Sequence, residues 1–261
     1  MSNSWLRLAG IFLPVFLIVL VLRLPAVWAL HWVQGRIPVV IECVSVQGTL
    51  FNAKCQNMRL ELTGGRTAYF NTFTWEVSPL VLPLGRIQVI SSMAGYEGLL
   101  NGQVQITPGG WRLSVLDGDV SMGILNLIFP GLDLAGIQGR LSIRGRGVKF
   151  TGQGMLSSGE LDIVINNFKS DLVDGVPPLG NYSIQLSFEP GTTTLGRIQT
   201  LTPDSPLQIT GEISVRENDR KLIFTGKGRA GPGSTDSLHT FLSLMGEVKN
   251  GTVNIDWQAD L

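Results

Sequence analysis

Two cysteines, Cys43 and Cys55, lie twelve positions apart in "ECVSVQGTLFNAKCQN" (42–57). Thiols support metal binding, redox exchange or a structural disulfide. The spacing matches no metal motif, there is no Cys-x-x-Cys, and the nearest histidine is His31. If residues 39–47 and 53–62 are successive strands, the two thiols can face each other across the pair. In an oxidising compartment they would then close a disulfide contributing about 3 kcal/mol in the chain-entropy model. Two buried free thiols are the alternative.

The remaining chemical candidates are weaker. Gly226-Lys227-Gly228-Arg229-Ala230-Gly231 spells G-x-G-x-x-G after a strand-like run, a pattern that cradles a pyrophosphate when a helix opens directly behind it. Here Pro232-Gly233-Ser234 follow, the helical pattern begins only at Asp236, and no βαβ unit surrounds the motif. A glycine-rich turn ending a hairpin is expected instead. "GRGVKFTG" (145–152) lacks the Lys-Ser/Thr ending of a P-loop. The two histidines, His31 and His239, have no nucleophile or acid in recognisable context, and no G-x-S-x-G elbow occurs. Asp117, Asp119, Asp171 and Asp174 are scattered over strand and turn positions. Arg140, Arg144, Arg146 and Lys149 gather on one stretch, either as a solvated strand face or as an anionic contact. The chain is expected to be no enzyme and to carry no cofactor and no metal.

The elements around these residues follow from periodicity. Of 261 residues only 15% are charged and 32 are glycine, with Lys+Arg and Asp+Glu equal at 20 each. That balance gives no global field for nucleic acid, so no nucleic-acid partner is expected. From residue 39 onward polar and apolar residues alternate in about a dozen runs. They include 39–46, 58–63, 67–77, 86–93, 102–116, 139–152, 160–168, 180–191, 207–215, 221–228 and 251–257. Turns are expected at Pro108-Gly109-Gly110 and at Glu217-Asn218-Asp219. Such runs predict antiparallel sheet with one face buried. Two short helices, over 120–131 and 236–246, should cover it. Asp236 suits an N-cap and Gly246 a C′ residue, and each helix is too short to stand alone.

Two stretches look alike, "QGRLSIRGRGVKFTGQG" (138–154) and "TGEISVRENDRKLIFTGKG" (210–228). Aligned, Gly139 meets Gly211, Leu141 Ile213, Ile143 Val215, Phe150 Phe224 and Gly152 Gly226. "NGQVQITPGGWRLS" (101–114) is a shorter third copy. The repeated object is expected to be a β-hairpin, hence scaffold.

The first residues are of another kind. Leu8 to Leu22 carry no charge between Arg7 and Arg23, with Leu8, Phe12, Leu17 and Leu22 along the run. Extended to Leu30, the helix would span 23 positions, about 35 Å, enough for a hydrocarbon core of about 30 Å. Arg23 would then snorkel or face a partner. A cleaved signal peptide ending at Val27-Trp28-Ala29, or a buried core helix, are the alternatives. The fold expected is mainly β. An N-terminal transmembrane helix (domain 1–36, with a short cytoplasmic tail) precedes a curved antiparallel β-sheet domain of repeated hairpins with two short covering helices (37–261).

Specific residues add a resemblance. "VSVQGTLFNAKC" (44–55), followed by "FTWEVSPLVLPLGRI" (73–87), resembles the protein N family of the type II secretion system: Gly48-Thr49-Leu50-Phe51 after the first strand, then Trp75 and Pro79 in a Trp-x-Val-x-Pro segment. "RLPAVWAL" (23–30) and "LSLMGEVKNGTVNIDW" (242–257) are similar too. Phe51 stands where Trp is common, and the cysteines are no mark of the family. The resemblance implies a single-pass inner-membrane protein of a Gram-negative bacterium, most of it periplasmic. Its partners would be other secretion-system subunits and the membrane, in a structural or assembly role in the export of folded proteins. The Gly-Thr-Leu-aromatic element and Gly-led hairpins are also similar to AsmA-like proteins, which implies a lipid partner and a lipid-binding or lipid-transfer module.

Overall fold

The computed structural model describes residues 12–13, 16, 19–34, 39–62, 66–79, 85–107, 109–125, 135–151, 156–173, 178–189, 194–216, 221–246, 248–249 and 251–260. They form two compact units, Met1–Tyr96 and Glu97–Leu261. The first holds helix α1 (Ala26–Gln34) and strands β1 (Val39–Gly48), β2 (Asn52–Leu62), β3 (Arg66–Val77) and β4 (Ile87–Gly95). The second holds β5 (Gly98–Thr107), β6 (Gly110–Ser121), β7 (Gln138–Thr151), β8 (Leu156–Lys169), β9 (Gly180–Phe188), β10 (Thr194–Thr200), β11 (Leu207–Arg216), β12 (Lys221–Ala230), helix α2 (Asp236–Met245), β13 (Val248–Lys249) and β14 (Thr252–Asp260). Within each unit the strands pair antiparallel in chain order, except that β14 sits on β12 and carries the two-residue β13 at the edge.

Period two located most of these strands. It missed β10, "TLGRIQT", where Gly196 and Arg197 interrupt the apolar positions. It also misread β7. The alignment with 210–228 places a turn inside 139–152, yet β7 runs unbroken through it. β6 pairs with it on both sides of Gly147, Val115 with Arg146 and Leu113 with Val148. Gly147, at φ 62°, makes a bulge against β8 rather than a reversal. Of the two long copies only the second is a hairpin, β11–β12, and the shorter third copy at 101–114 is the β5–β6 hairpin. The two stretches therefore share composition but not topology. Pro108, Gly152, Asp174 and the turn at 217–219 lie outside the described residues.

Of the two covering helices, α2 is present. Its N-cap is Thr235, one residue before Asp236, and Gly246 leaves it extended (φ 164°) rather than left-handed. Glycine is required there for another reason: a Cβ would come within 2.8 Å of the Asn254 carbonyl. Leu238 and Leu242 of α2 are buried against Leu207, Val253 and Ile255. At 120–131 the described part is a 3-10 turn, Met122–Ile124, capped by Ser121 Oγ accepting from the Gly123 amide at 3.1 Å. Met122 packs with Val120 and Leu141. Residues 126–131 lie outside the described set.

The continuous helix expected over 8–30 is not formed. Among the described residues no helix is long and apolar enough to cross a membrane. Helical residues 19–22 end in a turn at Arg23, Leu24 is irregular, and Pro25 forms a β-bridge to Thr49 before α1 begins. Pro25 is the physical cause. It has no amide to donate, its ring clashes with the preceding turn, and it drives Leu24 toward extended backbone.

Register sorts the second unit into rows. One row reads Leu116, Gly145, Leu161, Leu186, Gly196, Ile213, Phe224, Trp257. The next residue along reverses the chemistry: Asp117, Arg144, Asp162, Gln185, Arg197, Glu212, Thr225, Asp256. Each strand thus presents an apolar face and a charged face, and ion pairs such as Arg197–Glu212 (3.5 Å) lie along the latter.

Cys43 and Cys55 form a disulfide across β1–β2. They are not opposite each other, for Cys43 pairs with Met58 and Cys55 with Val46. A regular pleat would put Cys55 and Met58, three apart, on opposite faces. Asn57, at φ 49°, shifts the phase, so Cys55 and Met58 are both buried. Asn is the residue that tolerates this left-handed conformation. Asn57→Gly is expected to keep the urea midpoint nearly unchanged, and Asn57→Val to lower stability by about 1–2 kcal/mol.

Tyr182 is the largest fully buried side chain of the second unit. Its hydroxyl lies 2.8 Å from the Leu207 carbonyl and 3.2 Å from that of Leu179, so its single proton serves one or the other. Burial pushes the phenol well above its usual range. A group that holds its proton more tightly folded than unfolded stabilises fully below the unfolded pKa of about 10 and loses that contribution as pH rises further. Equilibrium unfolding from pH 8 to pH 11 should therefore show a shallower alkaline loss in Tyr182→Phe than in the parent.

Candidate functional site

In the first unit the N-terminal segment meets the sheet at a clasp built from residues that the sequence singles out. The turn between β1 and β2 begins at Gly48 (φ 104°), where a Cβ would lie 2.3 Å from the Asn52 carbonyl oxygen. Only glycine fits there. The Thr49 amide donates back to the Asn52 carbonyl at 2.8 Å and closes the turn.

Thr49 and Leu50 then turn toward the chain leaving the apolar run. Thr49 bridges Pro25, and the Leu50 amide donates to the Leu24 carbonyl at 2.8 Å. The Leu50 carbonyl is taken by Trp75, whose indole Nε1 donates across 3.1 Å. Trp75 is buried beside Ala53, its cross-strand partner, with Phe73 at 5.5 Å. The Phe51 carbonyl accepts from the Val77 amide at 2.6 Å. Both backbone groups of Leu50 are thus held, one by the N-terminal segment and one by β3.

Beyond Pro25, α1 follows the outer edge of β1. Ala26 is buried at its start, and Gln34 at its end donates its side-chain amide to the Ile41 carbonyl. A helix laid along an edge strand shields open backbone groups from pairing with another chain. Trp28 stands out from it, 68% exposed.

The structure thus brings Gly48, Thr49, Leu50, Phe51 and Trp75 together around Leu24–Ala26, while Pro79 sits exposed past the end of β3. Phe12 and Leu22 are helical and exposed, and Arg23 is an exposed turn residue; Leu8 and Leu17 lie outside the described residues. Pro25 and Gln34 were missed by sequence reasoning. Pro25 was visible as a helix breaker, whereas no local signal marks Gln34. His31 lies in α1 with Nδ1 3.3 Å from the Val27 carbonyl, and His239 lies in α2 with Nε2 3.4 Å from Ser234 Oγ. Among the described residues no group of three or more His, Cys, Asp or Glu side chains is placed to hold a metal.

A second feature belongs to the other unit. Where α2 stops covering the apolar face, an open hollow of about 460 Å³ remains, lined by Ile198, Ile213, Leu222, Phe224, Ile255 and Trp257. The Phe224 ring occupies the space beside the Gly211–Gly226 pair, since a Cβ on either glycine would meet it within 2.6 Å.

A segment bound to the first hairpin by a glycine-gated turn, ahead of runs of antiparallel strands, defines a mainly β protein whose N-terminal segment is fixed to its first unit. Residues 40–256 match the family model of type II secretion system protein N, and the chain belongs to that family. No curated protein and no solved structure matches it.

Trp75→Phe keeps the packing and removes the indole donor. It is expected to lower stability by about 1 kcal/mol and to speed hydrogen exchange at the Leu50 amide. Gly48→Ala should destabilise more, by about 3 kcal/mol, because both the dihedral and the contact forbid a Cβ.

Proposed function

We propose that the chain is a non-catalytic component of a type II secretion system, held in the inner membrane by its N-terminal segment with both β units on the periplasmic side. It acts there in assembly or structure during export of folded proteins, through other subunits of the system. The clasp carries the reading. A segment leaving an apolar run is fixed to a sheet within three residues, Leu24 to Ala26, by a bridge and two hydrogen bonds relayed through Leu50. Such a joint passes the position of the membrane segment to the sheet rather than leaving a slack tether. Trp5 to Leu22 supplies eighteen residues with one charge, Arg7, which as a continuous helix would extend about 27 Å. That length reaches a bilayer core of about 30 Å when Arg7 snorkels. The Cys43–Cys55 disulfide accords with an oxidising compartment.

The apolar hollow favours a second reading, a module that binds lipid. Its lining is almost wholly aliphatic and aromatic, and Trp257 at its margin is 48% exposed. Purification from native membranes in mild detergent, with proteins and lipids of one eluate identified by mass spectrometry, tests both. Secretion subunits accompanied by bulk lipid alone are the expected result. A selected lipid at one copy per chain, without those subunits, would overturn the first reading in favour of the second.

A further inference from the structure

The four cations that the sequence gathers on β7 are divided by the structure. Arg140 pairs with Asp119 at 2.5 Å and Arg144 with Asp117 at 3.7 Å. Among the described residues, no carboxylate lies within ion-pair distance of Arg146 or Lys149. The same holds for Arg112, which stands directly opposite Lys149 in the β6–β7 ladder. All three are exposed. Like charges at opposed positions repel each other, as Arg112 and Lys149 do here, whereas Arg146 has Glu160 directly opposite it in the β7–β8 ladder.

The reverse face of the same strand ends is apolar. Ile106, Trp111 and Phe150 form one register row across β5, β6 and β7. The Trp111 and Phe150 rings stack at 3.7 Å, 9° from parallel. Ile106 is 42% and Trp111 37% exposed. An aromatic and apolar row thus stands back to back with a cationic one, at the edge where β5 turns into β6.

We infer that this end of β5, β6 and β7 docks on an anionic phospholipid surface. Trp111, Phe150 and Ile106 enter the headgroup boundary, and Arg112 and Lys149 face lipid phosphates. Charge complementarity selects an anionic occupant, and the two-sided arrangement selects a bilayer. An acidic protein surface could cover the cations but would leave the row behind them in water. A fluid interface surrounds a strand end and takes both rows at once. The docking rests on the membrane attachment proposed above and adds a second contact point to it.

Gly109, in the β5–β6 turn, offers a reporter position, because a Cβ there meets nothing within 4 Å. With Cys43 and Cys55 oxidised, full-length Gly109→Cys carries one free thiol for an environment-sensitive fluorophore. The labelled chain is reconstituted in nanodiscs of phosphatidylcholine, with or without phosphatidylglycerol. Emission should rise and shift to the blue only with phosphatidylglycerol. R112Q/K149Q should lower the docked-to-free ratio on the order of 30-fold, and high salt should act in the same direction. Equal emission in both discs overturns the inference, as does a phosphatidylglycerol response that R112Q/K149Q leaves intact. A response that appears only on adding purified secretion subunits overturns it in favour of an acidic protein partner. If the chain enters neither disc, the attachment reading fails by itself. Emission and flotation of the same labelled chain with phosphatidylglycerol vesicles then decide the docking.

Discussion

In an antiparallel ladder a slip of one residue carries every side chain to the opposite face, so register decides what the second unit can be. The row from Leu116 to Trp257 is apolar, and its neighbour from Asp117 to Asp256 is charged or polar. Slippage of any strand would push an acid or arginine into the face that α2 covers and strand an aliphatic side chain in water. Both penalties act on every strand together, which is why the pairing holds from β5 to β14 without a crossover other than the β13 stub. The bulges at Gly147 and near Ser114 fall opposite each other, so the two strands change phase together and the rows survive.

Edges set the second constraint. β1 is ten residues long and rich in β-branched side chains, a surface that invites pairing by another chain. Placing α1 along it, with Pro25 bound to Thr49 at one end and Gln34 to Ile41 at the other, protects that edge and fixes the N-terminal segment by the same contacts. The glycine at position 48 is needed for the turn that exposes Thr49 and Leu50 to this segment, and Trp75 holds that turn from below. The clasp is small, but each of its groups has a partner.

The unit that carries α2 shows what partial coverage leaves open. Leu238 and Leu242 seal the part of the apolar face around Leu207, Val253 and Ile255. The helix is two to three turns long, so Ile213, Leu222, Phe224 and Trp257 remain beside an open hollow. At the far end of β6 and β7 the sheet's two faces emerge as an aromatic and a cationic row. One device, alternation with a period of two, thus yields a core, a hollow and an amphipathic strand end, according to what covers each part.

The alternation, the disulfide partners, α2 and the family signature were legible in the sequence, because each is local or needs only the knowledge that successive strands pair. Gly48 and Trp75 could be named as motif residues, but their joint action on Leu50 could not, since the hydrogen bond joins positions 25 apart in the chain. The same limit explains the errors. A Gly-Arg-Gly in β7 reads equally as a turn or as a bulge, and only the twelve residues of β6 alongside keep the strand straight. Pro25 is a helix breaker in any sequence, yet that the broken end would bridge Thr49 depends on a strand edge being there to receive it. Composition and period fixed which faces are apolar; tertiary structure decided which of them are covered, because coverage is a property of distant segments meeting and leaves no mark on any one of them.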